Sequence, residues 1–354
     1  MYAVNHATDL QVDQLRIARA IPSFVVEGPA GTGKTTMALQ KARELVSQNK
    51  KVALICYSKG LSKFLQKQVS GWQGPLRPEF VGTFHQLVDF WDGKTPQTIT
   101  QDWWEDGAAE EMMKQLGQRN NLQLFDAVVI DEGQDFRDSW WDVIYGSFRT
   151  EITYNNELTG SNLFVFGDSQ QSIFGRSRYK EIALPRLTLD VNMRNTEAIG
   201  EVVDILTDIE VKTLGPLGPP IQHVPTNYES AITEGEVVLQ ELLDEGWQPG
   251  DIAFLTTGSR HKEFHKNIIE RNVNEYWDRY FNGEEVFYST VQLFKGLERP
   301  VVVLAINGWK RDDLIDEFFY VGISRARDLL VIVGEIPAHI NEKIHRHIQP
   351  YREI

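Results

Sequence analysis

The sequence predicts an α/β protein of two lobes, each a mainly parallel sheet flanked by helices, and three observations lead there. Short aliphatic or β-branched runs recur along the chain, SFVVEG, KVALICY, DAVVID, NLFVFGD, DIAFLTT, VVVLAI and LLVIVG, with helix-patterned stretches between them. Strands buried on both faces of a parallel sheet read as continuous apolar runs, and their alternation with helices marks α/β layering. The chain's 354 residues exceed what one core usually fills, so two domains are expected. Finally, GPAGTGKT at Gly28 to Thr35 stands between the first apolar run and a helix-forming stretch, the setting of a phosphate-binding loop.

Composition narrows the class. A hydrophobic fraction of 42% with 24% charged residues is that of a globular protein in water. No apolar run approaches the roughly 20 residues of a membrane helix, and the opening MYAVNHATDLQVDQLR lacks the basic-then-apolar build of a signal peptide. A cytoplasmic protein without membrane partners is expected. The one cysteine, Cys56, excludes an intramolecular disulfide or a cysteine-based zinc cluster, and its place in VALICY predicts a small buried residue. The net charge of −14 argues against a broad non-specific nucleic-acid surface but permits a narrow groove, since local charge governs contact with phosphates.

The elements follow in chain order. In the loop of Gly28, Pro29, Ala30, Gly31, Thr32, Gly33, Lys34 and Thr35, with Thr36 behind it, Gly31 and Gly33 let backbone N–H groups turn toward phosphate oxygens at a helix N-terminus. Lys34 is the expected partner of the β- and γ-phosphates, and the Thr35 hydroxyl a ligand of Mg2+. VVIDEGQDF sets Asp131 and Glu132 at the C-terminal end of a buried strand, where open α/β sheets bind ligands. Asp131 then supports the metal and Glu132 deprotonates the attacking water. The first lobe is expected over 1–187, with a short helical insertion near 90–122 that carries Trp103, Trp104 and the amphipathic EEMMKQL; the second lobe covers 188–354. The Gly215 to Pro220 stretch GPLGPP is a loop. The aromatic pairs Trp103/Trp104 and Trp140/Trp141 read as exposed.

DEGQD after a P-loop resembles the second motif of the UvrD/Rep-like superfamily 1 helicases, and further motifs of that family follow in order from Leu10 to Arg325. The resemblance implies two RecA-like P-loop lobes, ATP as the nucleotide and single-stranded DNA as the track. LQVDQ at Leu10 to Gln14 is similar to the adenine-reading motif, so Gln14 would bond the adenine edge. CYSKGLSKFL resembles the first nucleic-acid motif, which brings in Tyr57, and GTFHQL the next, in which Thr83 and His85 would face the nucleic acid with Phe84 between them. GDSQQSIFG resembles the third motif: Gln171 would contact the γ-phosphate, and Phe174 would stack on a base, a contact worth roughly 1–3 kcal/mol. LDVNMRNTEAI implies an arginine finger at Arg194. In TVQLFKGLE, Thr290 and Lys295 would lie near the nucleic acid, and Gly296 and Glu298 near the nucleotide. YVGISRAR implies a second γ-phosphate arginine, Arg325.

The sequence also departs from the family. Met193 stands where a tyrosine usually stacks on adenine, and Arg176 where a tryptophan is common, replacing a stacking platform by a cation. Only about forty residues separate GTFHQL from DAVVID, and under a hundred separate Arg194 from Thr290, so the helical subdomains that full helicases insert are largely missing. The expected function is an ATP-dependent single-stranded nucleic-acid translocase or minimal helicase, 3′-to-5′ on DNA. The alternative is a nucleotide-gated regulatory subunit of a partner such as a nuclease, for instance in a defence complex; the acidic balance and the short insertions favour it.

Overall fold

The computed structural model describes residues 21–74, 76–118, 124–149, 162–171, 178–207 and 210–351. They belong to two compact units, one of residues 1–28 and 33–189, the other of 29–32 and 190–354.

The first unit is built on a six-stranded sheet of β1 (Phe24–Glu27), β2 (Val52–Cys56), β3 (Phe80–Thr83), β4 (Ala127–Asp131), β5 (Asn162–Gly167) and β6 (Arg186–Thr188). The order is β3-β2-β4-β5-β1-β6 and every pairing is parallel. Side chains alternate between faces along each strand, and both faces are apolar. Val25, Ile55, Val128, Ile130 and Val165 enter one core. Their neighbours Val26, Leu54, Val129, Phe164 and Phe166 enter another, against α1 (Lys34–Ser47) and α2 (Lys59–Ser70). The Ser58 hydroxyl caps α2 by accepting from the Leu61 amide. On the first face lie α3 (Gln86–Phe90), a π-helical turn over Trp103–Gly107 that runs into α4 (Ala108–Leu116), and α5 (Asp138–Gly146).

The second unit begins with the short parallel pair β7 (Val191–Asn192) and β8 (Lys212–Thr213), with α6 (Glu197–Ile205) between them. Its main sheet contains β9 (Ile221–Val224), β10 (Ile252–Thr256), β11 (Phe287–Thr290), β12 (Arg299–Ile306), β13 (Ala326–Gly334) and β14 (Ile348–Pro350), ordered β11-β10-β12-β13-β9-β14 and again all parallel. Val238, Leu239 and Leu242 of α7 (Ala231–Asp244) pack on Phe254, Val301, Val303 and Val331. Helices α8 (Lys262–Arg271), α9 (Val273–Asn282), α10 (Ile315–Ile323) and α11 (Ala338–Ile344) complete the unit.

Each of the apolar runs is a strand, and the Gly215 to Pro220 segment is a loop. In the two six-stranded sheets the strands that carry no continuous apolar run are FVGT, RLT, IQHV, FYST and IQP, which lie at or next to sheet edges, where fewer neighbours demand apolar side chains. Trp140 and Trp141 correct the expectation of exposure: both are 1% accessible, because α5 turns them into the aromatic core beside Phe136. Trp103 and Trp104 are half-buried. No helix among the described residues is long and apolar enough to cross a membrane.

Candidate nucleotide site and nucleic-acid motifs

The P-loop leaves β1 and enters α1. Gly31 and Gly33 have φ of 79° and 85°, a left-handed backbone that side chains beyond glycine rarely adopt, which is why this turn needs glycine. The Thr32 hydroxyl donates to the Pro29 carbonyl at 2.9 Å and ties the loop to itself. Lys34 is almost fully buried, and its ammonium donates to the Gly28 carbonyl at 2.6 Å across the mouth of the loop. Ala30 is buried, while Thr35 and Thr36 lie half-buried in the first turn of α1.

Asp131, the last residue of β4, is fully buried. Its Oδ1 accepts from the Glu132 amide at 3.1 Å, while Oδ2 is buried without a hydrogen-bond partner. Burial and the adjacent Glu132 charge push its pKa well above the usual carboxylate range, against the Thr35 hydroxyl and the Lys34 ammonium, which hold it down. A buried carboxylate oxygen beside a threonine hydroxyl is a hard-oxygen donor set, so these residues fit Mg2+.

Glu132 has φ 59° and ψ 45°, an uncommon conformation for a non-glycine residue, and its side chain is largely buried. Gln134 holds it: its Nε2 donates to Glu132 Oε2 at 2.6 Å, and its Oε1 accepts from the Asp168 amide at 3.0 Å. Asp168, just after β5, then accepts at Oδ1 from the Gln170 amide at 3.0 Å and at Oδ2 from Gln171 Nε2 at 2.7 Å. Burial raises the Asp168 pKa, and Lys34 opposes the rise. An unbroken chain of hydrogen bonds therefore joins Glu132, through Gln134 and Asp168, to Gln171. Neither Gln134 nor Asp168 is singled out in the sequence, although both stand inside the motifs that name Glu132 and Gln171; polar residues predicted to be buried in such motifs are the signal that finds them.

In the second unit, Arg194 Nη1 pairs with Glu298 at 3.2 Å and Nη2 donates to the Ser324 carbonyl at 2.8 Å. Arg325 is 2% exposed, donating from Nε to the Val321 carbonyl at 2.9 Å and from Nη2 to the Ser324 hydroxyl at 2.8 Å. The three motifs that contain Arg194, Glu298 and Arg325 thus meet around Ser324. Gly296 takes φ 80° in the turn between β11 and β12. Thr290 ends β11, where its carbonyl accepts from the Phe294 amide at 3.0 Å; Thr290 and Lys295 are both buried.

The residues of the two first-unit motifs expected to meet nucleic acid lie under aromatic cover. Phe84 is fully buried and stacks on Trp140 at 4.3 Å between ring centres, and Tyr57 stacks on the same indole at 5.7 Å. Thr83 is buried at the end of β3, with its amide donating to Gln86 Oε1 at 2.8 Å. His85 is 7% exposed and stacks on Trp104. Gln14, Phe174 and Arg176 lie outside the described residues.

Family profiles match the chain at both ends of this arrangement: an AAA domain over residues 12–176 and a UvrD-like helicase C-terminal domain over 285–333. No curated protein matches the chain in sequence. Among solved structures it is similar to the helicase of PRRSV, at 13% identity and a TM-score of 0.48, covering 91% of this chain and 54% of that one. It is also similar to the arterivirus nonstructural protein 10 helicase, at 15% identity and 0.46, with 93% and 63% covered. For that helicase in complex with DNA the values are 13%, 0.46, 93% and 64%. The chain thus spans less than two thirds of the length of these solved helicases.

Proposed function

We infer that this chain, which belongs to the UvrD-like superfamily 1 helicases, is an ATPase that moves along single-stranded nucleic acid, with DNA as the track and 3′-to-5′ as the direction. The observation that carries the reading is the buried polar cluster at the C-terminal edge of β1, β4 and β5, where Lys34, Asp131, Glu132, Gln134, Asp168 and Gln171 converge. Phosphoryl transfer is accelerated chiefly by positioning and charge neutralisation, and this cluster provides both. Lys34 would exchange its loop carbonyl for phosphate oxygens, and Thr35 with Asp131 would hold Mg2+, which when bound would supply neutralisation of phosphate charge. Glu132, fixed by Gln134, takes the proton of the attacking water, and Gln171 orients toward the γ-phosphate. Arg194 and Arg325 serve as transition-state cations by virtue of the motifs that contain them, Arg194 after release from Glu298.

The second reading is a nucleotide-gated subunit that controls a partner protein such as a nuclease. The short interval between β3 and β4 favours it, whereas the burial of Trp140 and Trp141 removes one surface that a partner would grip. ATP turnover measured with no nucleic acid, single-stranded DNA, duplex DNA and RNA separates the two. Stimulation by single-stranded DNA well above the other three is expected of the motor; turnover indifferent to every nucleic acid would assign the switch.

A further inference from the structure

Trp104 covers both residues of the first nucleic-acid motifs that carry a polar atom on an aromatic ring. Its indole lies flat on the His85 imidazole, with ring centres 3.6 Å apart and planes 11° from parallel. Its carbonyl is 2.7 Å from His85 Nε2, and its indole hydrogen-bonds to the Tyr57 hydroxyl. The two residues after it are acidic, and both are held by the N-terminal end of α5. Glu105 pairs with Arg137 at 2.8 Å, and its carbonyl accepts from Trp140 Nε1 at 2.7 Å. Asp106 accepts from the Ser139 hydroxyl at 2.6 Å. A flat ring on a histidine, followed by two anionic groups on a cation and a hydroxyl, has the chemical order of a nucleotide on its site: base first, phosphate next. The backbone that presents these groups is a single π-helical turn, a geometry rare in helices and frequent at functional sites. His85 Nδ1 is buried beneath it without a hydrogen-bond partner, so the imidazole keeps one polar atom that the closed turn does not satisfy.

We propose that the Trp103–Gly107 turn is an autoinhibitory latch that imitates bound nucleic acid, with Trp104 in the place of a base on His85 and the carboxylates of Glu105 and Asp106 in the place of phosphates. A single strand reaches Tyr57 and His85 by displacing the turn, which then frees Arg137 and Ser139 for the strand. The inference rests on the nucleic-acid reading given above.

The test measures binding of a short dye-labelled oligothymidylate to the full chain and to Trp104→Ala and Glu105→Gln, together with amide hydrogen exchange of residues 103–107 with and without the strand. Trp104→Ala is expected to bind about tenfold more tightly than wild type, because the strand no longer competes with a stacked ring. Glu105→Gln keeps the ring, weakens the pair with Arg137 and alters the hydrogen bond that Glu105 accepts from Gln101, so a gain of about twofold to threefold is expected. In the wild type, the strand should raise exchange at 103–107. Wild-type binding that Trp104→Ala leaves unchanged or weakens, with unchanged exchange in the turn, overturns the latch while leaving the motor reading intact. Failure of wild type and both variants to bind any strand overturns the nucleic-acid reading and the latch with it.

Discussion

Gln134 shows how one side chain sets the chemistry of another. Glu132 occupies a left-handed backbone conformation that costs a non-glycine residue on the order of 1 kcal/mol or more, a cost that persists where the surroundings fix the residue. The surroundings here are Gln134 on one carboxylate oxygen and, through it, the Asp168 amide on the neighbouring strand end. Removing Gln134 leaves the Glu132 carboxylate ionisable but takes away the hydrogen bond that fixes its Oε2. The expected kinetics separate three roles. Lys34→Ala should abolish both turnover and most nucleotide affinity, because it deletes the phosphate-facing cation. Glu132→Gln should retain binding and stop hydrolysis, because only the proton acceptor is lost. Gln134→Ala should lower turnover by about tenfold to a hundredfold, the size of effect that misplacement of a catalytic group produces, with nucleotide affinity nearly unchanged. Turnover and nucleotide binding measured on the three variants decide this; wild-type turnover in Gln134→Ala would remove its positioning role.

At the scale of elements, what was legible in the sequence follows burial. The inner strands DAVVID and NLFVFGD, covered on both faces, announce themselves as apolar runs, and the P-loop by glycines at the two positions with positive φ. The edge strands FVGT and FYST do not, since their burial depends on helices placed by the rest of the chain. The π-helical turn was illegible for a related reason: WWEDG reads as an exposed aromatic pair with acids until His85, Tyr57, Arg137 and Ser139 are known to face it. Its closure has a pH signature. Burial under Trp104 lowers the His85 pKa from 6.5 to about 4, with the Lys59 ammonium pushing the same way and the bond to the Trp104 carbonyl opposing. Of the other charges on and facing the turn, Glu105 pairs with Arg137, and Asp106 accepts from the Ser139 hydroxyl. The unfolded chain thus takes up a proton at His85 before the folded one does. The contribution to stability is complete above about pH 6.5 and is lost as pH falls through about 4. A shift of this size corresponds to about 3 kcal/mol as an upper bound. His85→Phe should therefore flatten the decline of the melting temperature between pH 7 and 4 relative to wild type, as calorimetry would register. Parallel declines in the two proteins would show that His85 titrates normally in the folded chain.

For the whole molecule, the balance lies between a well-equipped nucleotide site and a sparse apparatus for duplexes. Strand separation costs about 1.4 kcal/mol per base-pair step in stacking, and a motor that opens long duplexes must hold each opened step against re-annealing. In the first unit, about forty residues stand between the motif at Thr83 to His85 and β4. Those described form α3, the π-helical turn and α4, and the amphipathic faces of these elements are used in packing on the first core. Little chain is then left over to engage a duplex. The net charge of −14 works in the same direction, since phosphates of a second strand meet repulsion beyond a local groove, more strongly at low salt. The isolated chain is therefore expected to hydrolyse ATP under stimulation by single-stranded DNA, yet to unwind long duplexes poorly or not at all. Gel or fluorescence unwinding assays with short and long duplexes, at matched ATP turnover, provide the measurement. A protein partner that supplies duplex contacts should restore unwinding when added, or should have its own activity changed by ATP. Efficient unwinding of long duplexes by the chain alone would show that displacement of one strand needs no more surface than this compact insertion provides.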